Sequence, residues 1–228
     1  TMNLKKTDPE FMERFEHFAL NEVVNEEGQQ LDAATRYLAI LATLIGCGSV
    51  DAYSEILPIA FENGITPIMA KEIVYQATDY LGYGRTLPFL RAANMVLEQR
   101  GVKLPLSGQA TTTMDNRLEQ GVEVQTAILG EQMKEIWKKN HINRWLAANC
   151  FGDYYTRTSL DLNQRELITF CFLMAQGGCE PQLIAHAKGN MNLGNDKDFL
   201  LRVISQCLPY IGYPRSLNAI SCVNKAAE

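Results

Sequence analysis

The sequence predicts an all-α protein that is built as a tandem repeat of two helical domains. No segment shows the alternation of apolar and polar residues that is typical of a half-buried strand, whereas apolar residues recur at helical spacing behind capping residues. The segment Tyr80–Leu87 (YLGYGRTL) also returns as Tyr210–Leu217 (YIGYPRSL), at an offset of 130 residues. We therefore place one repeat in residues 1–108 and the second in residues 109–228.

The duplication extends upstream of this motif. Leu31-Asp32 matches Leu160-Asp161 at an offset of 129, so we expect a one-residue insertion near Gly177-Gly178. In the first repeat, a capping residue, a proline or both mark most helix starts. The predicted helices there cover residues 8–24, 33–45, 51–63, 66–82 and 86–101.

A polar linker and a second set of helices follow. The segment 101–114 contains Gly, Pro and three consecutive threonines, which is typical of a connection between domains. The helical segments predicted beyond it cover residues 115–129, 131–140, 145–157, 163–175, 181–193, 196–208 and 215–226.

Charge and composition exclude several classes of partner. The chain of 228 residues carries a net charge of −5, and all of it belongs to the first half, because the second half has 12 basic and 12 acidic residues. No basic stripe suits a nucleic acid, and the neutral second half is the better host for a small anionic ligand. No apolar run approaches the roughly 20 residues that span a bilayer, so we expect no membrane partner.

Cysteine and histidine usage indicates a reducing compartment and no metal site. No pair of cysteines has CxxC spacing, and the three histidines are scattered. We expect free thiols and a cytoplasmic protein. No signal peptide is visible, although one removed before Thr1 would leave no mark in the sequence. The cysteines are Cys47, Cys150, Cys171, Cys179, Cys207 and Cys222.

The most site-like stretch is Gly177–Gly194, which places a thiol and an imidazole seven residues apart. On a helix, Gln182 and His186 are four residues apart and share a face. Cys179 falls at the helix N-terminus, where partial positive charge favours a lowered thiol pKa.

Five motifs in order resemble the carboxymuconolactone decarboxylase family. The second half carries them over nearly its whole length, so the chain looks like a tandem arrangement of two such domains, each with the alkylhydroperoxidase-D-like helical fold. The motifs are Gly121–Gly130 (G-x₈-G), Phe151–Arg157 (FGDYYTR), Leu160-Asp161 with Arg165, His186 eight residues before Gly194, and Tyr210–Pro214 (YIGYP).

The resemblance implies a cofactor-free, decarboxylase-like lyase acting on a small cyclic or unsaturated carboxylate such as a carboxymuconolactone. His186 would be its acid/base, since imidazole exchanges protons near neutral pH. Single domains of the family are expected to form hexameric rings of dimers. Three copies of a fused pair would then complete a ring, which predicts a homotrimer.

The motif Phe151–Arg157 supplies further candidate residues. Asp153 and Arg157 are four residues apart and can pair on an α-helix. The functional interpretation has Asp153 orient His186 and Arg157 clamp a substrate carboxylate; the alternative is an ordinary surface ion pair. Tyr155 and Gln182 are the other candidate substrate-binding residues.

The chain also departs from the family pattern. Family decarboxylases tend to carry Arg within the G-x₈-G segment and Trp and Glu in the aromatic-acid motif. A site for a multiply carboxylated lactone would be expected to keep that arginine. Its absence means that the sequence does not identify the substrate. The corresponding residues here are Gln125, Phe151, Asp153 and Tyr155.

The first repeat lacks the histidine. At an offset of 130, Ile56 stands where the second repeat has His186, and Glu22 is a possible counterpart of Asp153. We expect this repeat to be structural or to form one wall of a shared site. Arg215 recurs as Arg85 in the copy without the histidine, which favours a capping or interface role for both.

Other functions remain open at this point. Alkylhydroperoxidase-D-like proteins of the same superfamily pair a CxxC with a histidine and an upstream glutamate. Cys179, His186 and Glu166 resemble that pattern, so a thiol-dependent peroxidase or other redox protein is the alternative. Gln182 occupies the place of the second cysteine, and no resolving thiol lies nearby in the sequence. A non-catalytic binding or assembly protein is the third hypothesis.

Overall fold

The computed structural model describes residues 3–228, and within that range the chain is helical with no strand. Thr1 and Met2, the first residues of the segment in which no signal peptide is visible, lie outside the described residues. No helix in this range is both long and apolar enough to cross a membrane.

Over residues 3–108, the first repeat contains seven α-helices, with a π-helical turn at Phe18–Glu22 between the second and third. They are α1 (Leu4–Thr7), α2 (Pro9–His17), α3 (Val23–Asn25), α4 (Ala33–Gly46), α5 (Val50–Glu62), α6 (Pro67–Leu81) and α7 (Tyr83–Gln99).

The second repeat contains six α-helices, and the predicted linker separates it from α7. They are α8 (Arg117–Leu129), α9 (His141–Trp145), α10 (Leu162–Gln176), α11 (Glu180–Asn192), α12 (Lys197–Ile211) and α13 (Tyr213–Ala226).

Most helix starts agree with the sequence, and several predicted caps form, although Asp8 before α2 accepts no capping hydrogen bond. Asp32 accepts a hydrogen bond from the Thr35 backbone N–H at 3.0 Å. Asp161 and Gln164 form a reciprocal capping box at the start of α10. The start of α7 is three residues earlier than predicted, and Pro88 lies inside the helix. Buried residues on both sides of the proline hold this helix together.

The segment 131–157 differs most from the sequence-based expectation. Residues 131–140 form two short 3₁₀ turns instead of one helix. The next ten residues after α9, Leu146–Tyr155, form a π-helix. Because a π-helix bonds each residue to the fifth one along, Cys150 and Tyr155 share one of its faces.

The two repeats share one core around a pseudo-two-fold axis. The helices α4 and α10 pack against each other at the centre, α6 packs on α10, and α12 packs on α4. Equivalent hydrogen bonds cross between the repeats on both sides. Arg165 donates to the Gln76 side chain at 2.9 Å, and Arg36 donates to that of Gln206 at 2.9 Å.

Two glycines let α8 lie directly against the π-helix. A Cβ at Gly121 would stand 1.9 Å from the Ala147 carbonyl oxygen, and one at Gly152 would stand 2.0 Å from that of Arg117. Since no side chain fits at either contact, both glycines are required for this packing. The contact places Gln125 of α8 beside the π-helix residues that line the cavity described next.

Candidate active site

A cavity of about 490 Å³ lies between the two repeats. Its walls come from α6 of the first repeat and from α8, α10, α11 and the π-helix of the second. The first repeat contributes Asp79 and Tyr80. Of the two roles expected for this repeat, the structure therefore shows one wall of a shared cavity.

His186 lies at the wall of this cavity and is 8% exposed. Its Nδ1 lies 2.9 Å and 3.1 Å from the two carboxylate oxygens of Glu166. The edge of its ring also packs against Tyr80, with ring centroids 5.6 Å apart. Because Nδ1–H donates to the carboxylate, Nε2 is the ring nitrogen left to exchange a proton with a ligand.

Glu166 is itself held by a buried hydrogen-bond network. The Tyr155 hydroxyl donates to Glu166 Oε1 at 2.7 Å and lies 2.6 Å from Thr169 Oγ1. Tyr80 extends the network, since its hydroxyl lies 3.0 Å from that of Tyr155. Tyr155, a predicted substrate-binding residue, thus contacts the carboxylate behind His186.

The close approach of α11 to α10 depends on a small residue and a buried amide. A Cβ at Gly189 would stand 2.8 Å from Glu166 Oε2, so the glycine makes room for the carboxylate. Asn190 donates to the backbone carbonyls of Glu166 and His186 at 2.9 Å and 2.8 Å. Together they fix the distance between the acid and the imidazole.

The predicted contacts of Asp153 require correction. The carboxylate hydrogen-bonded to His186 belongs to Glu166, and Asp153 instead pairs with Arg117 at 3.0 Å and accepts from Asn149 at 2.9 Å. Its predicted pairing with Arg157 is not formed either. The reason is that the π-helix ends at Tyr155, so Arg157 lies beyond the helix and does not share a helix face with Asp153.

Arg157 forms a bidentate ion pair with Glu72 of the first repeat. Its Nε and its NH2 group donate to the Glu72 carboxylate at 2.9 Å and 2.8 Å. Arg165 donates to the same carboxylate at 3.1 Å. Glu72 is 1% exposed, so this cluster joins the repeats through a buried charge. The structure engages Arg157 there and does not place it in the lining of the cavity.

Gln182 and His186 both line the cavity, as their helical spacing predicts. Cys179 lines it too, but the expected lowering of its pKa is wrong, because burial raises the pKa of this thiol. A second thiol, Cys150, lines the same cavity although it is distant in the sequence. Burial also raises the pKa of Cys150 well above its ordinary value.

Sequence reasoning missed Asp79 as a site residue. Its Oδ2 is buried without a hydrogen-bond partner among the described residues. Burial, with a smaller effect of the nearby Asp153 carboxylate, raises the pKa of Asp79 to about 8. One signal was available, because Pro209 stands at this position in the second repeat while the adjacent Tyr80 and Tyr210 match.

The equivalent region of the first repeat is closed by apolar packing. Ile56 stands in place of His186 and packs on the shared core. Tyr210, the counterpart of Tyr80, meets Phe15 edge-on with ring centroids 6.2 Å apart. Arg85 of this repeat donates to the Gly46 carbonyl at the end of α4 at 3.1 Å, consistent with the expected capping role.

Comparison with known proteins identifies a family and a relative. The profile described as the carboxymuconolactone decarboxylase family matches residues 9–95 and 141–225. A protein of Acinetobacter baylyi (strain ATCC 33305 / BD413 / ADP1), described as 4-carboxymuconolactone decarboxylase, is 32% identical over 108 residues. That alignment covers 45% of this chain and 80% of the relative.

Proposed function

The chain belongs to the carboxymuconolactone decarboxylase family, and we propose that it is a decarboxylase-like lyase that acts on a small cyclic or unsaturated carboxylate. The observation that carries this proposal is the placement of His186. One ring nitrogen is fixed on a buried carboxylate, and the other is left for a cavity of small-molecule size.

The reaction needs a proton at the carbon that loses CO₂. When the bond between that carbon and the carboxyl carbon breaks, the electron pair stays on the carbon and is delocalised as an enolate. His186, in its imidazolium form, donates the Nε2 proton to the carbon, and the neutral imidazole then takes a proton from water. No cofactor takes part in this sequence.

Glu166 acts through His186 rather than on the substrate. Its carboxylate accepts from Nδ1–H, which holds the ring in place and stabilises the imidazolium form before proton transfer. The Tyr155 hydroxyl fixes the carboxylate in turn. We therefore assign Glu166 and Tyr155 as positioning residues.

The test is release of CO₂ by the full chain from carboxymuconolactone and from a matched lactone that keeps only the reacting carboxylate. We expect release from at least one of them, without added metal or organic cofactor. The double variant Cys150→Ser/Cys179→Ser serves as a parallel sample in which both thiols of the cavity are removed. Release from neither lactone contradicts the proposed function.

A thiol-dependent peroxidase is the second candidate, because two thiols line the cavity. Their raised pKa values oppose it, since the thiolate is the form that attacks a peroxide. Peroxide consumption that is lost in Cys179→Ser would favour this candidate over the lyase. An open cavity with an imidazole in its wall also argues against a purely structural role.

A further inference from the structure

We propose that Gln125 and Asp79 form the carboxylate-binding end of the cavity, and that they select a substrate with one carboxylate over a substrate with two. This inference rests on the proposed function, because it names the substrate class of the same site.

Two unpartnered polar atoms point to such a subsite. Gln125 is 1% exposed, and its Nε2 is buried without a hydrogen-bond partner in the part of the chain that the structure describes. Asp79 Oδ2 is likewise buried without a hydrogen-bond partner among the described residues. Both residues line the cavity that holds His186. Buried polar atoms without partners are costly and rare, so a ligand that satisfies both atoms is the simplest reason for their presence.

The two groups can act as a pair of donors. The Gln125 amide donates through its N–H groups. Asp79 donates through O–H while it is protonated, and its raised pKa keeps it so at neutral pH. An amide N–H and a carboxyl O–H match the two oxygens of a single carboxylate, and hydrogen bonds to a charged acceptor are the stronger kind.

The charges around Asp79 come from several elements. Asp153 on the π-helix faces it and is paired with Arg117 of α8. Burial is the main cause of the raised pKa values of Cys150 and Tyr154 on the π-helix, and the nearby Asp79 carboxylate adds to it. On α11, His186 lines the cavity with its Nδ1 on Glu166.

No lysine or arginine is among the described residues that line the cavity. Apart from His186, whose Nε2 proton goes to the reacting carbon, a second carboxylate would therefore be buried without a cation to pair with, which is strongly unfavourable. A monocarboxylate avoids this cost because its one charged group is satisfied by the two donors. The substrate class that follows is a small ring compound carrying only the carboxylate that is lost.

The experiment measures binding, so that it does not depend on turnover. Furoate and furandicarboxylate, which share a ring and differ by one carboxylate, are titrated calorimetrically into the full chain. We expect furoate to bind at least about tenfold more tightly than furandicarboxylate. Gln125→Leu is expected to weaken furoate binding about tenfold, while Gln120→Leu, a control on the same helix outside the cavity lining, leaves it unchanged.

Two further variants test the substrate preference and its pH dependence. Gln125→Arg is expected to reverse the preference toward furandicarboxylate, a gain that misfolding cannot produce. For wild type, furoate affinity should fall as the pH rises through the pKa of Asp79 near 8, because the ionised carboxylate loses its donor and repels the ligand. Asp79→Asn should bind furoate equally well on both sides of that pH.

Several results would overturn the inference. These are no furoate binding, furandicarboxylate binding as tight as that of furoate, or furoate affinity unchanged in Gln125→Leu. Furoate binding of the expected kind without CO₂ release from either lactone would instead contradict the proposed function and leave the subsite standing.

Discussion

Two buried carboxyl groups in one site have different surroundings and different roles. Glu166 accepts hydrogen bonds from Tyr155 and from the His186 ring, so it acts as the acceptor that holds the imidazole. Asp79 has one oxygen without a partner, and burial raises its pKa to about 8. The site thus combines a fixed anion behind the imidazole with a neutral acid in the cavity wall.

Replacing Glu166 by Gln tests the positioning role. The variant keeps the size of the side chain but removes the charge that stabilises the imidazolium form, so we expect CO₂ release to fall on the order of a hundredfold. The pH profile of kcat should change as well, because the group that donates the proton has lost its anionic partner. A fall in rate with an unshifted profile would indicate a purely structural role.

Asp79→Asn is expected to stabilise the protein at neutral pH. The folded-state pKa of about 8 lies above the ordinary carboxyl value near 3.9, so the folded state holds a proton that the unfolded state has lost. Wild-type stability therefore falls as the pH rises between these values, and it levels off above about pH 8. Asp79→Asn has no titrating group at this position, so its stability does not fall in this way as the pH rises.

Urea unfolding of both proteins between about pH 4 and pH 9 measures the difference. We expect the free energy of unfolding to diverge across this window, reaching on the order of a few kcal/mol in favour of the variant. Asp51→Asn, at an exposed position on α5, is the matched control. Parallel curves for wild type and Asp79→Asn would contradict the assignment.

At the scale of elements, the sequence predicted the helices well where capping chemistry is local. Asp32 and Asp161 each fix the start of a helix by accepting a hydrogen bond from the backbone N–H three residues further along the chain. The π-helix at Leu146–Tyr155 could not be predicted in this way. Its form depends on α8 packing against it through Gly121 and Gly152, which are distant in the sequence.

The same difference between local and long-range contacts explains which site residues could be predicted from the sequence. Gln182 and His186 were found because both lie on one predicted helix. Glu166 was noted only through the peroxidase resemblance, and Asp79 was missed, because Glu166 reaches His186 from α10 and Asp79 reaches the cavity from α6. The wrong contacts of Asp153 followed from assuming a helix that continues to Arg157, whereas the π-helix ends at Tyr155 and Arg157 pairs with Glu72 of the first repeat.

Gly189→Ala tests how closely α10 and α11 must approach. The added methyl group would meet Glu166 Oε2 at 2.8 Å and the Ile128 side chain at 2.9 Å. We expect a loss of about 1–3 kcal/mol in stability and a fall in CO₂ release at temperatures where the variant is fully folded. The displaced carboxylate, rather than unfolding, would cause that fall.

Gly84→Ala is the control for this variant. Gly84 also lies in a helix, but a Cβ there would meet nothing within 4 Å. We expect it to stabilise the protein by about 0.5–1 kcal/mol, since alanine favours a helix over glycine. Equal activity and stability of the two variants would contradict the packing argument.

At the scale of the whole molecule, duplication has produced one site from two domains. The second repeat supplies His186 and Glu166, the first supplies Tyr80 and Asp79, and apolar side chains close the equivalent region around Ile56. The buried pairing of Glu72 with Arg157 and Arg165 holds the repeats in register. One functional cavity per chain is the expected outcome.

The family resemblance and the pseudo-two-fold arrangement lead us to expect a homotrimer. Each chain would take the place of a dimer in a ring of six domains. Exposed apolar side chains such as Tyr83 and Tyr213, at equivalent positions of the two repeats, are available for such contacts. Light scattering should give three times the chain mass of 25.6 kDa; a stable monomer at micromolar concentration would contradict this expectation.

The central claim is that His186 exchanges the proton of the reaction, and one comparison tests it most directly. CO₂ release is measured for wild type, His186→Gln and His141→Gln, the last being an exposed histidine outside the cavity lining. We predict that kcat falls by about 10²–10⁴-fold in His186→Gln and is unchanged in His141→Gln. Full activity in the folded His186→Gln variant would contradict the account.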